Sequence, residues 1–296
     1  METALFNAGL KALSSTIGRL SWPASRRLGR RIGALAWTLS RRDRRRALDH
    51  VAIAFPEKSE TEREQLARNC FRHLGTMLGE CLHLYHRDCA FVDSVVDVLG
   101  FEEVEAVRSA GRPLLLITGH CGNWELLAAA INCRGMRMAV VARALDEPEQ
   151  QEMLAGLRAR FGTPTIERGE EGAVRQLLGT LRRGGALGML IDQDSGKMDG
   201  VWVPFFDRLA YTPVGAAKIA LKQRAAVIPV FIERLEDGRH RVRFHPPLDL
   251  PDDPVAATAL MTAKIEEQVR LRPEQWVWMH RRWRRQPPAG STTTNP

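Results

Sequence analysis

Two hydrophobic periods alternate along this chain. Between residues 61 and 87, Leu66, Cys70, Phe71, Leu74, Met77, Leu78, Leu82 and Leu84 recur about every three or four positions, the spacing that gathers side chains on one face of a helix. Shorter, largely apolar runs at 114–118, 138–142, 186–191, 226–233 and 240–244 have strand length. Helical patterns around 148–161, 170–183 and 213–224 lie between them. Strands separated by helices predict an α/β fold with a partly parallel sheet flanked by helices. Gly238, between the last two strand patterns, predicts a hairpin that makes the sheet mixed. No internal repeat interrupts this order.

The first strand, Leu114-Leu115-Leu116-Ile117, runs into Gly119-His120-Cys121-Gly122-Asn123-Trp124-Glu125 and then a run of helix formers, Leu126 to Ala130. Asn123 is a natural N-cap, which places Glu125 in the first helical turn and His120 on the preceding loop. An imidazole can take a proton from an alcohol near neutral pH, and a carboxylate on its far nitrogen fixes the tautomer. The unpaired N–H groups of a helix start can hold a developing oxyanion. His120 is therefore the candidate base and Glu125 its candidate orienter, with Asn123 a cap or a substrate contact. Asp192, at the end of a later strand, reads equally as a scaffold or a substrate-contact residue. Ligands in such folds favour the carboxyl ends of strands, where both His120 and Asp192 fall.

These residues resemble the H-x4-D/E motif of glycerolipid-type acyltransferases, in the Glu form of the late acyltransferases of lipid A biosynthesis. Three further stretches resemble the same family: Asp192-Gln193, Val203-Pro204-Phe205-Phe206 with Thr212-Pro213, and Pro273 to Trp283. The similarity extends over roughly residues 5–285 and implies a glycerolipid-acyltransferase-like fold. It also implies transfer of a fatty acyl chain from an acyl carrier protein thioester, with coenzyme A the lesser alternative, to a hydroxyl of a lipid A precursor. No metal or cofactor is implied. A phosphorylated acceptor calls for guanidinium groups, and Arg143, Arg158, Arg160 and Arg168 are the candidates, with Asn123, Asp192 and Gln193 as further substrate contacts. Trp276, Trp278 and Trp283 read as a packing cluster rather than a ligand cage. Acylation of phosphatidylinositol mannosides is the neighbouring alternative, and a non-catalytic membrane scaffold the alternative of a different class.

Charge adds a location. Residues 1–50 hold 11 Lys/Arg against 3 Asp/Glu, a surplus matching the +8 of all 296 residues. Interleaved with it are Leu5, Phe6, Leu10, Leu13, Ile17, Leu20 and Trp22, then Leu28, Ile32, Leu35, Ala36 and Leu39, at helical spacing. Charged residues break every window long enough to span a bilayer, and no cleavable signal pattern is present. The expectation is a basic amphipathic segment over 1–50 lying on the cytoplasmic face of the inner membrane, an acyltransferase domain over 51–286 and a flexible tail over 287–296. Nucleic acid is disfavoured, since no zinc-finger, RNP or basic-zipper pattern accompanies the arginines. Arg281, Arg282, Arg284 and Arg285 form a second basic cluster, a candidate docking patch for an acidic carrier protein. The five cysteines show no metal spacing and no disulfide framework, which suggests reduced thiols. A hydrophobic fraction of 44% with 26% charged residues supports a sizeable globular core.

Overall fold

The computed structural model describes residues 15–194, 196 and 199–288. The expected tail beyond 288 and the first part of the basic segment, including Leu5 to Leu13, lie outside the described residues. In chain order come α1 (Trp22–Leu39), α2 (Arg41–Ala54), α3 (Glu60–Leu84), α4 (Cys89–Val95), β1 (Val96–Leu99), α5 (Phe101–Ser109), β2 (Leu114–Thr118), α6 (Trp124–Cys133), β3 (Met138–Ala142), α7 (Pro148–Arg160) and β4 (Thr165–Glu167). They are followed by α8 (Ala173–Arg182), β5 (Ala186–Leu190), β6 (Gly200–Phe205), β7 (Arg208–Pro213), α9 (Gly215–Gln223), β8 (Ala226–Arg234), β9 (His240–Phe244), α10 (Pro254–Leu271) and a 3-10 turn, Pro273–Gln275.

Seven strands form one sheet in the order β1-β9-β8-β2-β5-β3-β4, parallel throughout except where β8 turns into β9 through Gly238. The mixed sheet and its hairpin are as expected. Central β2 is buried on both faces, which explains its unbroken apolar run. Leu115 and Ile117 pack on the face covered by α8, α9 and α10, whereas Leu114 and Leu116 pack on the face covered by α5, α6 and α7. β6 and β7 pair as a separate antiparallel hairpin.

Within the basic N-terminal segment, α1 packs against α3 through small residues. α1 buries Ser25, Gly29, Gly33 and Trp37, while Leu35 and Leu39 remain 56% and 71% exposed. Its buried stripe is small because α1 crosses α3 backbone to backbone: a Cβ on Gly29 would strike the Gly75 carbonyl, and one on Gly33 the Phe71 carbonyl. Side chains of Leu size would hold these helices apart. Arg27, Arg30 and Arg31 stay exposed, and among the described residues no helix is long and apolar enough to cross a membrane. One sequence expectation, that of reduced thiols, is corrected. Cys89 at the start of α4 and Cys133 at the end of α6 form a disulfide, with Cα atoms 5.4 Å apart and a separation of 44 positions in sequence. Nothing in cysteine spacing signals a pair joined only by tertiary packing.

Candidate active site

β2 ends at Thr118, and the chain reaches α6 through the loop that carries His120. Asn123 caps this helix, its Oδ1 accepting from Leu126 N at 3.1 Å, and Glu125 lies in the first turn as expected. Gly122 holds φ at +62°, and a Cβ there would meet the Ile232 carbonyl. Only glycine fits so close to β8 in that conformation.

The carboxylate on His120 is Asp192 rather than Glu125. β2 and β5 are neighbouring parallel strands, with Thr118 level with Leu190, so their carboxyl ends bring together residues 72 positions apart. Asp192 Oδ1 lies 2.7 Å from His120 Nδ1. Its Oδ2 accepts from His120 N at 2.8 Å and from Trp276 Nε1 at 2.7 Å. Asp192 is fully buried. Burial alone would raise the pKa of this carboxyl, but the charge of His120 and the hydrogen bonds from His120 and Trp276 hold it well below the ordinary carboxylate range. The His120 side chain keeps 21% of its surface exposed, and its ring meets Trp124 edge to face at 5.0 Å. An ionised, anchored carboxylate behind a partly open imidazole is the arrangement of a general base.

Glu125 faces α7. Its two oxygens receive Arg158 NH2 at 2.7 Å and Arg158 Nε at 2.9 Å, and Arg158 also reaches Thr165 Oγ1 at 3.2 Å. The fork ties α6, α7 and β4 together beside the loop. Asn123 is likewise structural. Fully buried, it accepts the cap hydrogen bond at Oδ1 and donates Nδ2 to Glu80 at 3.0 Å.

Glu80 centres a buried polar network that the sequence did not suggest. It receives both arms of Arg234 at 2.7 Å, with Arg26 at 3.3 Å and His240 at 3.2 Å. Arg234 touches His73 Nδ1 at 2.5 Å, and His73 Nε2 lies 3.2 Å from the Gly122 carbonyl. The network therefore grips the His120 loop at Gly122 and Asn123. Burial works against the Glu80 carboxylate, yet Arg234 and His240 push its pKa well below the usual value.

The other arginine candidates divide. Arg143 is exposed and turned to Asp146, at 2.6 and 3.1 Å, and Arg160 is exposed with its Nε on the Arg87 carbonyl. Neither is brought to His120 by these contacts. Arg168 is half-buried, its backbone N–H on Ala142 at the end of β3, and burial together with the nearby Arg143 charge lowers its pKa. Gln193 is half-buried next to Asp192. Two surface clefts of about 310 and 600 Å³ are lined by residues such as Ala139, Pro164, Thr180 and Arg183; neither is lined by His120 or Asp192.

The segment Pro273–Trp283 closes over the site. Gln275 O accepts from Gly122 N at 2.9 Å, and Trp276 bridges to Cys121. Trp276 and Trp278 are fully buried with ring centroids 4.6 Å apart, and Phe205 packs on Trp276 and Trp283 at 5.5 and 5.8 Å. The expected packing cluster is present, and Trp276 also holds the dyad's carboxylate. Of the second basic cluster, Arg281 and Arg284 stay exposed and Arg285 is half-buried. Arg282 is fully buried against Phe205 and donates to Tyr211 O and Thr212 Oγ1 at 2.7 and 2.6 Å, while Arg284 and Arg285 clamp Asp194. Consecutive arginines read as surface charge until aromatic faces and loop carbonyls are folded around them.

The model of the bacterial lipid A biosynthesis acyltransferases matches residues 3–285. The chain belongs to this family. A lipid A biosynthesis acyltransferase of Haemophilus influenzae is 28% identical over 239 residues, spanning 80% of this chain and 74% of that protein. The lipid A biosynthesis myristoyltransferase of Escherichia coli is 27% identical over 241 residues, 80% of this chain and 73% of the relative. A phosphatidylinositol mannoside acyltransferase of Mycobacterium tuberculosis is 25% identical over 187 residues, covering 62% and 58%. This protein is thus an acyltransferase, and its His120–Asp192 pair lies where the strands of such a fold end.

Proposed function

We propose that this acyltransferase moves a fatty acyl chain from an acyl carrier protein thioester to a hydroxyl of a lipid A precursor, with His120 as general base and Asp192 as its orienter. The observation that carries the mechanism is the 2.7 Å contact between His120 Nδ1 and Asp192 Oδ1. It directs Nε2, the other ring nitrogen, to the chemistry. Nε2 takes the acceptor hydroxyl proton as that oxygen adds to the thioester carbonyl. The tetrahedral anion is stabilised by N–H groups at the start of α6, then collapses. The C–S bond breaks, the imidazolium returns the proton to the departing thiolate, and an ester and a free thiol result.

Glu125 acts here through Arg158, keeping the helix that supplies the anion-stabilising groups in register with β4. Arg168, at the carboxyl end of β4 and near Arg143, is our candidate for an acceptor phosphate. The exposed Arg27, Arg30, Arg31, Leu35 and Leu39 fit a peripheral attachment to an anionic membrane, on the cytoplasmic face of the inner membrane where lipid A precursors would be met. The test is reconstitution of purified protein with acyl carrier protein thioesters of several chain lengths, the matching coenzyme A thioesters and vesicles holding either a lipid A precursor or phosphatidylinositol mannosides. Mass spectrometry then identifies the product. Transfer to the lipid A precursor from the carrier protein supports this reading; transfer to the mannoside alone, or only from coenzyme A, replaces the corresponding part of it.

A further inference from the structure

The two surface clefts beside β3 and β4 share Ala139, Pro164, Thr180 and Arg183, so they form one groove between the edge strand β4 and helix α8. Arg137, Arg175, Arg182 and Arg183 line it, and no carboxylate does. All four arginines are exposed, and none makes an ion pair among the described residues. On α8, Arg175, Gly179, Arg182 and Arg183 follow the spacing of one helical face. Gly179 keeps that face open between the arginines, since a Cβ there would stand 3.0 Å from the Arg183 guanidinium. Arg137 joins from the turn before β3, where its carbonyl accepts from Ala186 N at 3.0 Å.

The groove stands at a definite remove from the dyad. α8 leaves the carboxyl end of β4 and returns to the amino end of β5, so Arg175 lies toward the end of the sheet that holds His120, and Arg182 toward the other. Ala139, a lining residue shared by both clefts, is level with Leu187 of β5. Asp192 follows Leu187 by five positions, about 16 Å of extended chain. Acyl carrier protein presents its thioester at the tip of a prosthetic arm of comparable length, so its body has to dock at such a remove from the carbonyl under attack. Like charges gathered without a counter-charge repel one another, and an anionic partner relieves that repulsion. A groove along a helix of 10 residues, about 15 Å long, admits another helix, whereas a bilayer surface is too flat to enter it. The arginines near Trp283 are less suited, because Asp194 neutralises Arg284 and Arg285 and because Arg282 is buried.

We infer that this groove docks the acyl carrier protein, with Arg137, Arg175, Arg182 and Arg183 receiving an acidic helix of the carrier. The inference rests on the acyl-transfer reading above, and in particular on the carrier thioester as donor. Val174, 71% exposed beside Arg175, adds an apolar contact at the head of the arginine row. The charges act mainly on association, while the body of the carrier stays at the edge of the sheet and only its arm reaches the dyad.

The test uses the full chain, a lipid A precursor in vesicles, and one acyl chain presented on acyl carrier protein or on coenzyme A. Arg182→Glu with Arg183→Glu should raise KM for the carrier thioester about tenfold or more and leave kcat at saturating donor within about twofold. KM for the coenzyme A thioester should stay near the wild-type value, and the carrier effect should shrink as ionic strength rises. Gly179→Glu plants a carboxylate beside Arg183 while keeping every arginine and improving the helix. It should raise the carrier KM with a melting temperature equal to or above wild type. Arg108→Glu with Arg112→Glu, an equal charge change at exposed positions by α5 on the other face of the sheet, should leave the carrier KM unchanged. An unchanged carrier KM in the groove variants overturns the inference, and so does an equal rise with coenzyme A or in the α5 pair. Loss of flotation on anionic vesicles with the carrier KM unchanged assigns the groove to the membrane and overturns it as well. Failure of the donor reading is distinct: a wild type that takes acyl groups from coenzyme A alone removes the carrier and, with it, the occupant of the groove.

Discussion

Asp192→Asn separates orientation of the base from simple loss of a buried side chain. Three N–H groups converge on this carboxylate, two of them on Oδ2 from His120 N and Trp276 Nε1 and one on Oδ1 from His120 Nδ1. An amide offers one acceptor oxygen. Retaining the two donors at Oδ2 places that oxygen there and turns the NH2 group toward His120 Nδ1. The imidazole must then accept at Nδ1 and carry its proton on Nε2, the nitrogen that should take the hydroxyl proton. The substituted side chain also lacks the charge that stabilises the imidazolium. A base held in the wrong tautomer loses roughly 10³- to 10⁴-fold in kcat, about 4–5.5 kcal/mol at 1.36 kcal/mol per decade. Shape and two hydrogen bonds survive, so the melting temperature should move by only about 2–4 °C. Asp192→Ala differs in kind, because it strands two buried donors at a cost of ~1–3 kcal/mol each and should lower stability as well as rate. The assay is initial-rate transfer at saturating donor and acceptor, with thermal unfolding measured on the same preparations. An Asp192→Asn enzyme within tenfold of wild-type kcat would refute the reasoning.

Other consequences concern the framework. Glu80→Ala leaves Arg234 buried without its carboxylate and frees Asn123 and the His120 loop; urea unfolding should show a loss of about 3–5 kcal/mol, and an unchanged midpoint would mean the network carries nothing. Arg158→Ala should likewise destabilise by stranding the Glu125 carboxylate, 7% exposed, whereas Glu125→Gln combined with Arg158→Met should cost less than Arg158→Ala alone. Denaturation midpoints that simply add would contradict the pairing. Stability should also fall as pH drops from 7 to 5. Burial, joined by nearby arginines, depresses the pKa of His73, His240 and His280 in the folded state, so the unfolded chain binds protons first once pH passes below its ordinary value near ~6.5. For His280, with a folded value of about 4, the loss is complete below that pH and reaches roughly 3 kcal/mol at 1.36 kcal/mol per unit. A pH-independent urea midpoint between 7 and 5 would refute this.

What could be read from sequence was local. The run from Leu114 into the Asn123 cap and the helix after it appears as expected, because strand, cap and helix signals all lie within a few residues of one another. The partner of His120 could not be read, since it depends on β5 lying beside β2, and strand order is a product of packing. Glu125 was the near carboxylate in sequence and Asp192 the near one in space. The same limit hid Glu80, which gathers Arg26, Arg234, His240 and Asn123 from four separate elements. The contact of α1 with α3 was hidden for another reason. Ser25, Gly29 and Gly33 permit an approach to α3 that no larger side chain allows. The β6–β7 hairpin was missed because Pro204, Pro213 and Gly200 interrupt the strand signal. In the Arg281–Arg285 run, charge pointed outward while Phe205 and the Tyr211 carbonyl drew Arg282 inside.

The most direct test of the central claim is single-turnover transfer from a radiolabelled acyl carrier protein thioester to a lipid A precursor in vesicles, run side by side with wild type, His120→Ala, Asp192→Asn and Glu125→Gln. If the His120–Asp192 pair performs the proton transfer, the wild type converts the precursor to a species heavier by one acyl group. His120→Ala and Asp192→Asn then fall by at least three orders of magnitude while still folded, and Glu125→Gln loses activity only as far as its stability falls. Full loss in a stably folded Glu125→Gln enzyme, with Asp192→Asn near wild type, would contradict the account.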